Sequence, residues 1–448
     1  MLLSLTLGNY RSFAAESTLD LMKRSFRRNV PADHNWAAVT EHVVGIYGAN
    51  ASGKSTVLLP LGLIQVAVAF SLRDPATTQA LYTPHALHRD LPTAFQVEYV
   101  EAGVRYRWEL RLSQAGVLEE KLEATESGHF RLIFHRQEST IKFGPQSGIP
   151  RAARENIEEF LTPWALTLSA WQVARSRGPY AGAVTWWQER LRTLGVLRDR
   201  AQMHYTLMDM LQYPSWMRAS SAIIRAADTG VNSVRVDTQS VPLPPELAQH
   251  AEALSAALAG ESSTHVEALS EQEKQLIAQN LVFTHGSGEE QFELPEEAES
   301  QGTRVWFDLA MQATYALATG GVLSVDEADE SLHPLLLASL IRLFTNRRTN
   351  ASGAQLLFTS HDTTVLGNDL DTGITPSGIW LTEKQQGVSE LIALDEFPYS
   401  PKHNIERRYL RGVYGAVPAP QRDIASEIAR LRTEYNQFQA ERRQGDGA

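Results

Sequence analysis

The sequence contains no cysteine. That absence excludes disulfides, thiolate nucleophiles, iron–sulfur clusters and every cysteine-bearing zinc site, and it agrees with a reducing cytoplasm. Positive charge is also in deficit: 41 Lys and Arg against 52 Asp and Glu leave a net charge of −11. A chain this acidic is not held to nucleic acid by its overall field, so such contact needs a local basic patch. No apolar run is long enough to span a bilayer. The longest near the start, Val57 to Leu72, is interrupted by Pro60, Gly62 and Gln65. The opening Met1-Leu2-Leu3-Ser4-Leu5-Thr6-Leu7 lacks the positive region and cleavage site of a signal peptide, and Leu3, Leu5 and Leu7 alternate as in a half-buried strand. A cytoplasmic chain without membrane contact is predicted. Internal repeats and low-complexity tracts are missing too. What is present is an ordinary globular composition, 43% apolar and 21% charged, and 448 residues, enough for about three domains.

The first part of the chain reads as strand, loop, strand, loop, helix. Between Ala94 and Leu112, Phe95, Val97 and Tyr99 alternate, a turn falls at Ala102-Gly103, and Tyr106, Trp108, Leu110 and Leu112 alternate back, which predicts an antiparallel hairpin. Leu118–Ala124 and Phe130–His135 extend that sheet. Helix signals dominate from about Arg151 to Asn280, with breaks at Gly178-Pro179 and at Val241-Pro242-Leu243-Pro244-Pro245. After Ala298 the pattern returns to α/β alternation, with buried strands at 321–325 and 355–359 and a helix over 335–344. The predicted organisation is an α/β N-terminal lobe with an antiparallel β subdomain (1–150), a helical insertion (151–294), a C-terminal lobe (295–418) and a last helix (419–448).

The buried strand His42 to Tyr47 runs into Gly48-Ala49-Asn50-Ala51-Ser52-Gly53-Lys54-Ser55, and an apolar helical stretch follows Thr56. This is the P-loop pattern in the strand-to-helix context that it requires. Its glycines let backbone amides close around phosphates, and the new helix adds the partial positive charge of its N-terminus. Lys54 is expected to reach the β- and γ-phosphates of a nucleotide, and the Ser55 hydroxyl to bind Mg²⁺. Val322-Leu323-Ser324-Val325-Asp326-Glu327 ends a second buried strand in two acids. Such a pair is costly without a cation. Asp326 is expected to hold Mg²⁺, and Glu327 to polarise the attacking water as general base. Asp329 and Glu330, which follow, read as a solvated loop. The strand Leu356 to Thr359 leads into Ser360-His361-Asp362, which places His361 within reach of a γ-phosphate. Upstream, Ser300 and Gly302 in Glu299-Ser300-Gln301-Gly302-Thr303 stand at the start of a helix, a second candidate anion site.

In this order the motifs resemble the ABC-type ATPase heads of the SMC, RecF and OLD class, and more closely the prokaryotic AAA-type ATP-binding family that includes ATPase subunits of anti-phage defence systems. Asn9-Tyr10-Arg11-Ser12-Phe13 is similar to that family's N-terminal strand motif, and Ile46 to Ser55 to its Walker A. Ser300-Gln301-Gly302-Thr303 is similar to its shortened signature, Asp326 to Pro334 to its Walker B and D-loop, and Ser360-His361-Asp362 to its switch histidine. Tyr409-Leu410-Arg411-Gly412-Val413-Tyr414-Gly415-Ala416-Val417-Pro418 matches a C-terminal motif in which Val413 replaces the usual arginine. Gln96 and Gln172 are both candidates for the Q-loop glutamine. The resemblance implies a P-loop NTPase fold of ABC-ATPase type and ATP hydrolysis with Mg²⁺. It also implies a homodimer in which Ser300 and Gly302 of one protomer close over ATP held by the other. Members of this family often work beside a separately encoded nuclease or toxin, as in two-gene abortive-infection systems. No nuclease motif occurs here, so an effector would be another chain. The alternative is a stand-alone RecF- or SMC-like repair or recombination ATPase.

Two basic groups offer a local contact for DNA or RNA: Lys23-Arg24-Ser25-Phe26-Arg27-Arg28, and Arg175, Arg177, Arg190, Arg192, Arg198 and Arg200 interleaved with Tyr180, Trp186 and Trp187. They read equally as a solvated helix face over core tryptophans. In the last helix, Ile424, Ile428, Leu431, Tyr435 and Phe438 form a short heptad seam. It serves either packing on the protein's own body or docking of a partner or sister protomer.

Overall fold

The computed structural model describes residues 1–23, 26, 31, 33–174, 178–195, 207–208, 210–225, 227, 230–242, 275–286, 288–330, 332–400, 403–417 and 424–445. Alternation at the start makes two paired strands, β1 (Leu2–Gly8) and β2 (Ser17–Asp20). A bulge at Leu3 breaks the simple alternation. Leu5 and Leu7 face the main core while Leu3 joins a satellite cluster with Met22, Trp36 and Val39. Next come β3 (Val43–Gly48) and the helix α1 (Lys54–Phe70). Five antiparallel strands follow: β4 (Thr93–Glu101), β5 (Val104–Ser113), β6 (Gly116–Thr125), β7 (Arg131–Gln137) and β8 (Thr140–Phe143). With β1 and β2 they make a seven-stranded sheet in the order β2-β1-β4-β5-β6-β7-β8. The expected hairpin is present, turning at Ala102-Gly103 with both residues at positive φ.

The middle of the chain corrects the expectation of a helical insertion. Helices α2 (Arg151–Phe160), α3 (Thr167–Val173) and α4 (Pro214–Arg225) are there, and so, among the described residues, are four strands. β9 (Leu191–Leu194) joins the parallel sheet, while β10 (Val231–Pro242), β11 (Gln275–His285) and β12 (Phe292–Pro295) form an antiparallel sheet of their own. The physical signal in β10 is period two: Val234 and Val236 alternate with Arg235 and Asp237.

The C-terminal part supplies α5 (Gln301–Thr319), β13 (Val322–Val325), α6 (Pro334–Thr345), β14 (Gln355–Thr359), β15 (Ile379–Gln385), β16 (Val388–Ala393), α7 (Ile405–Leu410) and α8 (Ile424–Gly445). Its strands complete a sheet in the order β16-β15-β3-β14-β13-β9, parallel except for β16. The central strands are buried on both faces, as parallel sheets are, and therefore read as continuous apolar runs. Val44, Ile46 and Leu357 point to the core shared with α1 and the antiparallel sheet. Val43, Tyr47, Leu356 and Phe358 point to the core shared with α5 and α6. The acid strand is not the immediate neighbour of the P-loop strand: β14 lies between β3 and β13. All three end at one edge, the position at which open α/β sheets bind ligands.

Tyr180, Trp186 and Trp187 are core residues, with Trp186 stacked on Tyr99 at 4.5 Å between ring centroids. Arg190 pairs with Glu101 at 2.9 Å, and the Arg192 guanidinium lies 4.3 Å from the centre of the Tyr315 ring. These aromatics offer no stacking platform for nucleic acid. Arg24, Ser25, Arg27, Arg28, Arg175, Arg177, Arg198 and Arg200 lie outside the described residues. In α8 the seam residues Ile424, Ile428, Leu431, Tyr435 and Phe438 are 54–67% exposed. Among the described residues, no helix is long and apolar enough to cross a membrane.

Candidate nucleotide site

The turn from β3 into α1 is shaped by residues that have no room for larger side chains. A Cβ on Gly48 would lie 2.4 Å from the Thr382 carbonyl oxygen, and one on Gly53, at φ 111, would lie 2.9 Å from Ser389 Oγ. Between them Ala51 takes φ 62, a left-handed conformation. β15 holds this loop from the side: Thr382 pairs in register with Gly48, and its hydroxyl meets Ser52 Oγ at 2.5 Å. Helix α1 starts with no side-chain cap and no acid in its first turn. Helices α5, α6 and α7 are instead capped by Ser300, His333 and Asn404. The first amides of α1 are thus left for an anion.

Lys54 is buried, and its ammonium donates to the carbonyls of Gly48 and Ala49, both at 3.0 Å. Burial pulls its pKa down, while Asp329, Glu327 and Asp326 pull it back up. A cation resting on its own loop's carbonyls and faced by three carboxylates is poised to exchange those contacts for phosphate oxygens.

Around the loop lies a cleft of about 430 Å³ lined by Arg11, Ser12, Asn50, Ala51, Gly53, Lys54, Ser55, Thr56, Glu327, His361 and Lys384. Eight of the residues singled out in the sequence therefore meet in one place: six from the P-loop, Glu327 from the end of β13 and His361 from the end of β14. Gly48 and Ser52 shape the loop, and Asp326 sits half-buried just behind Glu327. Arg11, Ser12 and Lys384 were not foreseen as site residues. Arg11 and Ser12 come from the N-terminal motif, whose turn is fixed by Asn9: its side-chain amide donates to the carbonyls of His88 and Leu91, and its Oδ1 accepts the His85 N–H. Lys384 lies two residues past Thr382 on the strand paired with β3, so register alone carries it to the cleft. Among the described residues the buried hydroxyl of Ser12, which lines the cleft, has no hydrogen-bond partner, a polar group that a phosphate-bearing ligand would complete.

At the acid pair, Asp326 N–H donates to the Leu194 carbonyl at 3.0 Å, so β9 helps to set this strand end. Glu327 has φ 53, a conformation costing a non-glycine residue about 1–3 kcal/mol, typical of strain held at functional sites. Asp329 is half-buried in that loop, and its carboxylate accepts the His361 N–H at 3.1 and 3.3 Å, which ties the two strand ends together. The hard oxygens of Ser55 and Asp326 fit Mg²⁺, which is normally held by one or two protein oxygens and completed by phosphates and water. Among the described residues, no group of three or more His, Asp or Glu is placed to hold a metal ion by itself.

Ser300 and Gly302 are not brought to this cleft. Ser300 is exposed and caps α5, its hydroxyl accepting the Thr303 N–H at 3.1 Å. Neither Gln96 nor Gln172 lines the cleft; Gln96 lies in β4 and Gln172 in α3.

The family described as "AAA domain, putative AbiEii toxin, Type IV TA system" matches residues 43–177 and 216–367. No curated protein matches. Among solved structures, the SMC head domain from Thermotoga maritima is similar at 12% identity and a TM-score of 0.40, covering 88% of this chain and 98% of that one. An Smc head with an extended coiled coil, bound to the C-terminal domain of ScpA derived from Pyrococcus furiosus, is similar at 11% identity and a TM-score of 0.44, covering 92% and 99%. The family match takes in the P-loop, Asp326, Glu327 and His361, and spans well over half of the sequence: the chain belongs to this AAA-domain family of P-loop ATPases.

Proposed function

We propose that the protein binds ATP with Mg²⁺ and hydrolyses it in this cleft. The observation that carries this reading is the meeting of P-loop, Glu327 and His361 around one cavity. Mg²⁺, when bound, neutralises phosphate charge as a Lewis acid; Ser55 and Asp326 are the residues that would hold it. The amides at the start of α1 and the Lys54 ammonium bind and orient the phosphates. Glu327 Oε takes the proton of the attacking water, and His361, its backbone held by Asp329, faces the same space.

The site is completed by a second copy, whose Ser300 and Gly302 at the start of α5 close over the nucleotide. Their position away from their own P-loop supports this arrangement. Subunit mixing tests it. Lys54→Ala and Ser300→Arg homodimers should both be inactive, and an equimolar mixture should recover activity through one intact composite site per mixed dimer. Recovery must exceed the sum of the separate activities; no gain in mixtures shown to exchange subunits would contradict the shared site. Ser300→Arg also removes a cap worth about 0.5–2 kcal/mol, so its fold is checked by thermal melting.

In the cell this ATPase acts as the sensor or switch subunit of an anti-phage abortive-infection complex that controls a separately encoded nuclease or toxin. The family description supports that setting. The exposed seam of α8 serves as the docking surface for such a partner or for the sister protomer. Truncation after residue 417 should therefore leave the melting temperature and ATP hydrolysis unchanged, while weakening capture of the neighbouring gene product or self-association in size-exclusion light scattering. Unfolding of the truncated chain would show that the seam belongs to the core.

A further inference from the structure

Thr359 is the last residue of β14 and is fully buried. Strand ends in a parallel core favour β-branched residues, and valine would fill this volume equally well. The hydroxyl that distinguishes threonine makes two hydrogen bonds, both to the acid pair. It donates to Asp326 Oδ1 at 2.6 Å and accepts the Glu327 N–H at 2.7 Å. The Thr359 carbonyl accepts the Ala328 N–H at 2.9 Å. Three consecutive residues, Asp326 to Ala328, thus hang on one residue of the neighbouring strand. The middle one, Glu327, is the residue in the left-handed conformation. Strained conformations persist only where their surroundings over-determine them, and the Thr359 hydroxyl is the contact that fixes the Glu327 amide.

We propose that Thr359 is the positioning residue of the acid pair. One hydroxyl fixes both the rotation of the Asp326 carboxylate and the backbone from which Glu327 projects into the cleft, so that the metal-holding and water-activating groups are set together. The inference rests on the ATPase reading and deepens it. It follows the general behaviour of metal ligands, whose orientation is set by the groups hydrogen-bonded behind them.

Thr359→Val removes the hydroxyl and keeps the shape; Thr359→Ser keeps the hydroxyl. Two quantities are read on the full chain: the Mg²⁺ concentration needed for half-maximal ATP binding, by calorimetry, and the kcat and KM of hydrolysis. The Val variant is expected to need about 10–100-fold more Mg²⁺ and to lose a similar factor in kcat with little change in KM, as for other losses behind a metal ligand. The Ser variant should return both values close to wild type. A Val variant with wild-type kcat and wild-type Mg²⁺ dependence overturns the proposal, and so does a Ser variant no better than Val. If Val does not fold, Thr359→Ala, which adds no bulk, is read in the same way; failure of both to fold assigns Thr359 to the core alone and overturns its positioning role. Absence of hydrolysis in wild type would instead strike at the ATPase reading itself.

Discussion

Replacement of Lys54 by alanine should abolish turnover and weaken ATP binding by at least tenfold, since a hydrogen bond to a charged group contributes about 1.5–3 kcal/mol. The expectation comes from the loop's geometry. Lys54 is the P-loop's own cation, held at 3.0 Å from the carbonyls of Gly48 and Ala49 and facing Asp326, Glu327 and Asp329. Alanine leaves those carbonyls and the incoming phosphate charge without it. Because the loop is also held by Thr382 through Gly48 and Ser52, the fold itself should survive, which a thermal melt verifies. A folded Lys54→Ala protein with wild-type hydrolysis would remove the nucleotide assignment.

Glu327→Gln is expected to behave oppositely: ATP and Mg²⁺ still bind, while kcat falls by about 10²–10⁴-fold because the amide cannot take the water's proton. The substitution is clean for a structural reason. The tether from Thr359 runs to the Glu327 backbone N–H, not to its side chain, so glutamine keeps the same anchor and the same φ. With hydrolysis blocked, the ATP-bound dimer should accumulate and the mass in light scattering should double on addition of ATP. Normal turnover would exclude Glu327 as the base. Asp329 is already engaged with the His361 N–H, so His361 would be the next residue to replace.

Much of the site was legible because its residues are local in sequence. The P-loop spacing, the acids ending one apolar strand and the histidine ending the next each depend on a few consecutive residues, and the structure brings those residues together. What escaped was set by pairing between distant segments. Lys384 reaches the cleft because β15 lies against β3, and Arg11 because its neighbour Ser12 accepts the Ser389 N–H of β16; no local pattern announces either pairing. β9 is four residues long, too short for a period to show, yet its Leu194 carbonyl holds the Asp326 amide. The alternation of β10 lies within a stretch that helix-favouring segments dominate, so it does not stand out locally. Thr359 had a sequence signal as well, one hydroxyl at the end of an apolar strand, whose meaning appears only when β13 is found alongside. Ser300 and Gly302 belong to a different category: they stand apart from the P-loop of their own chain, and the role proposed for them at ATP comes from a second copy.

The most direct measurement is ATP binding by calorimetry and phosphate release on one preparation of the full chain in Mg²⁺, with wild type, Lys54→Ala and Glu327→Gln side by side. Wild type should bind and release phosphate, Glu327→Gln should bind and release almost none, and Lys54→Ala should do neither. A folded wild-type protein that does not bind ATP, or a Lys54→Ala variant that binds it equally well, would contradict the assignment of this cleft.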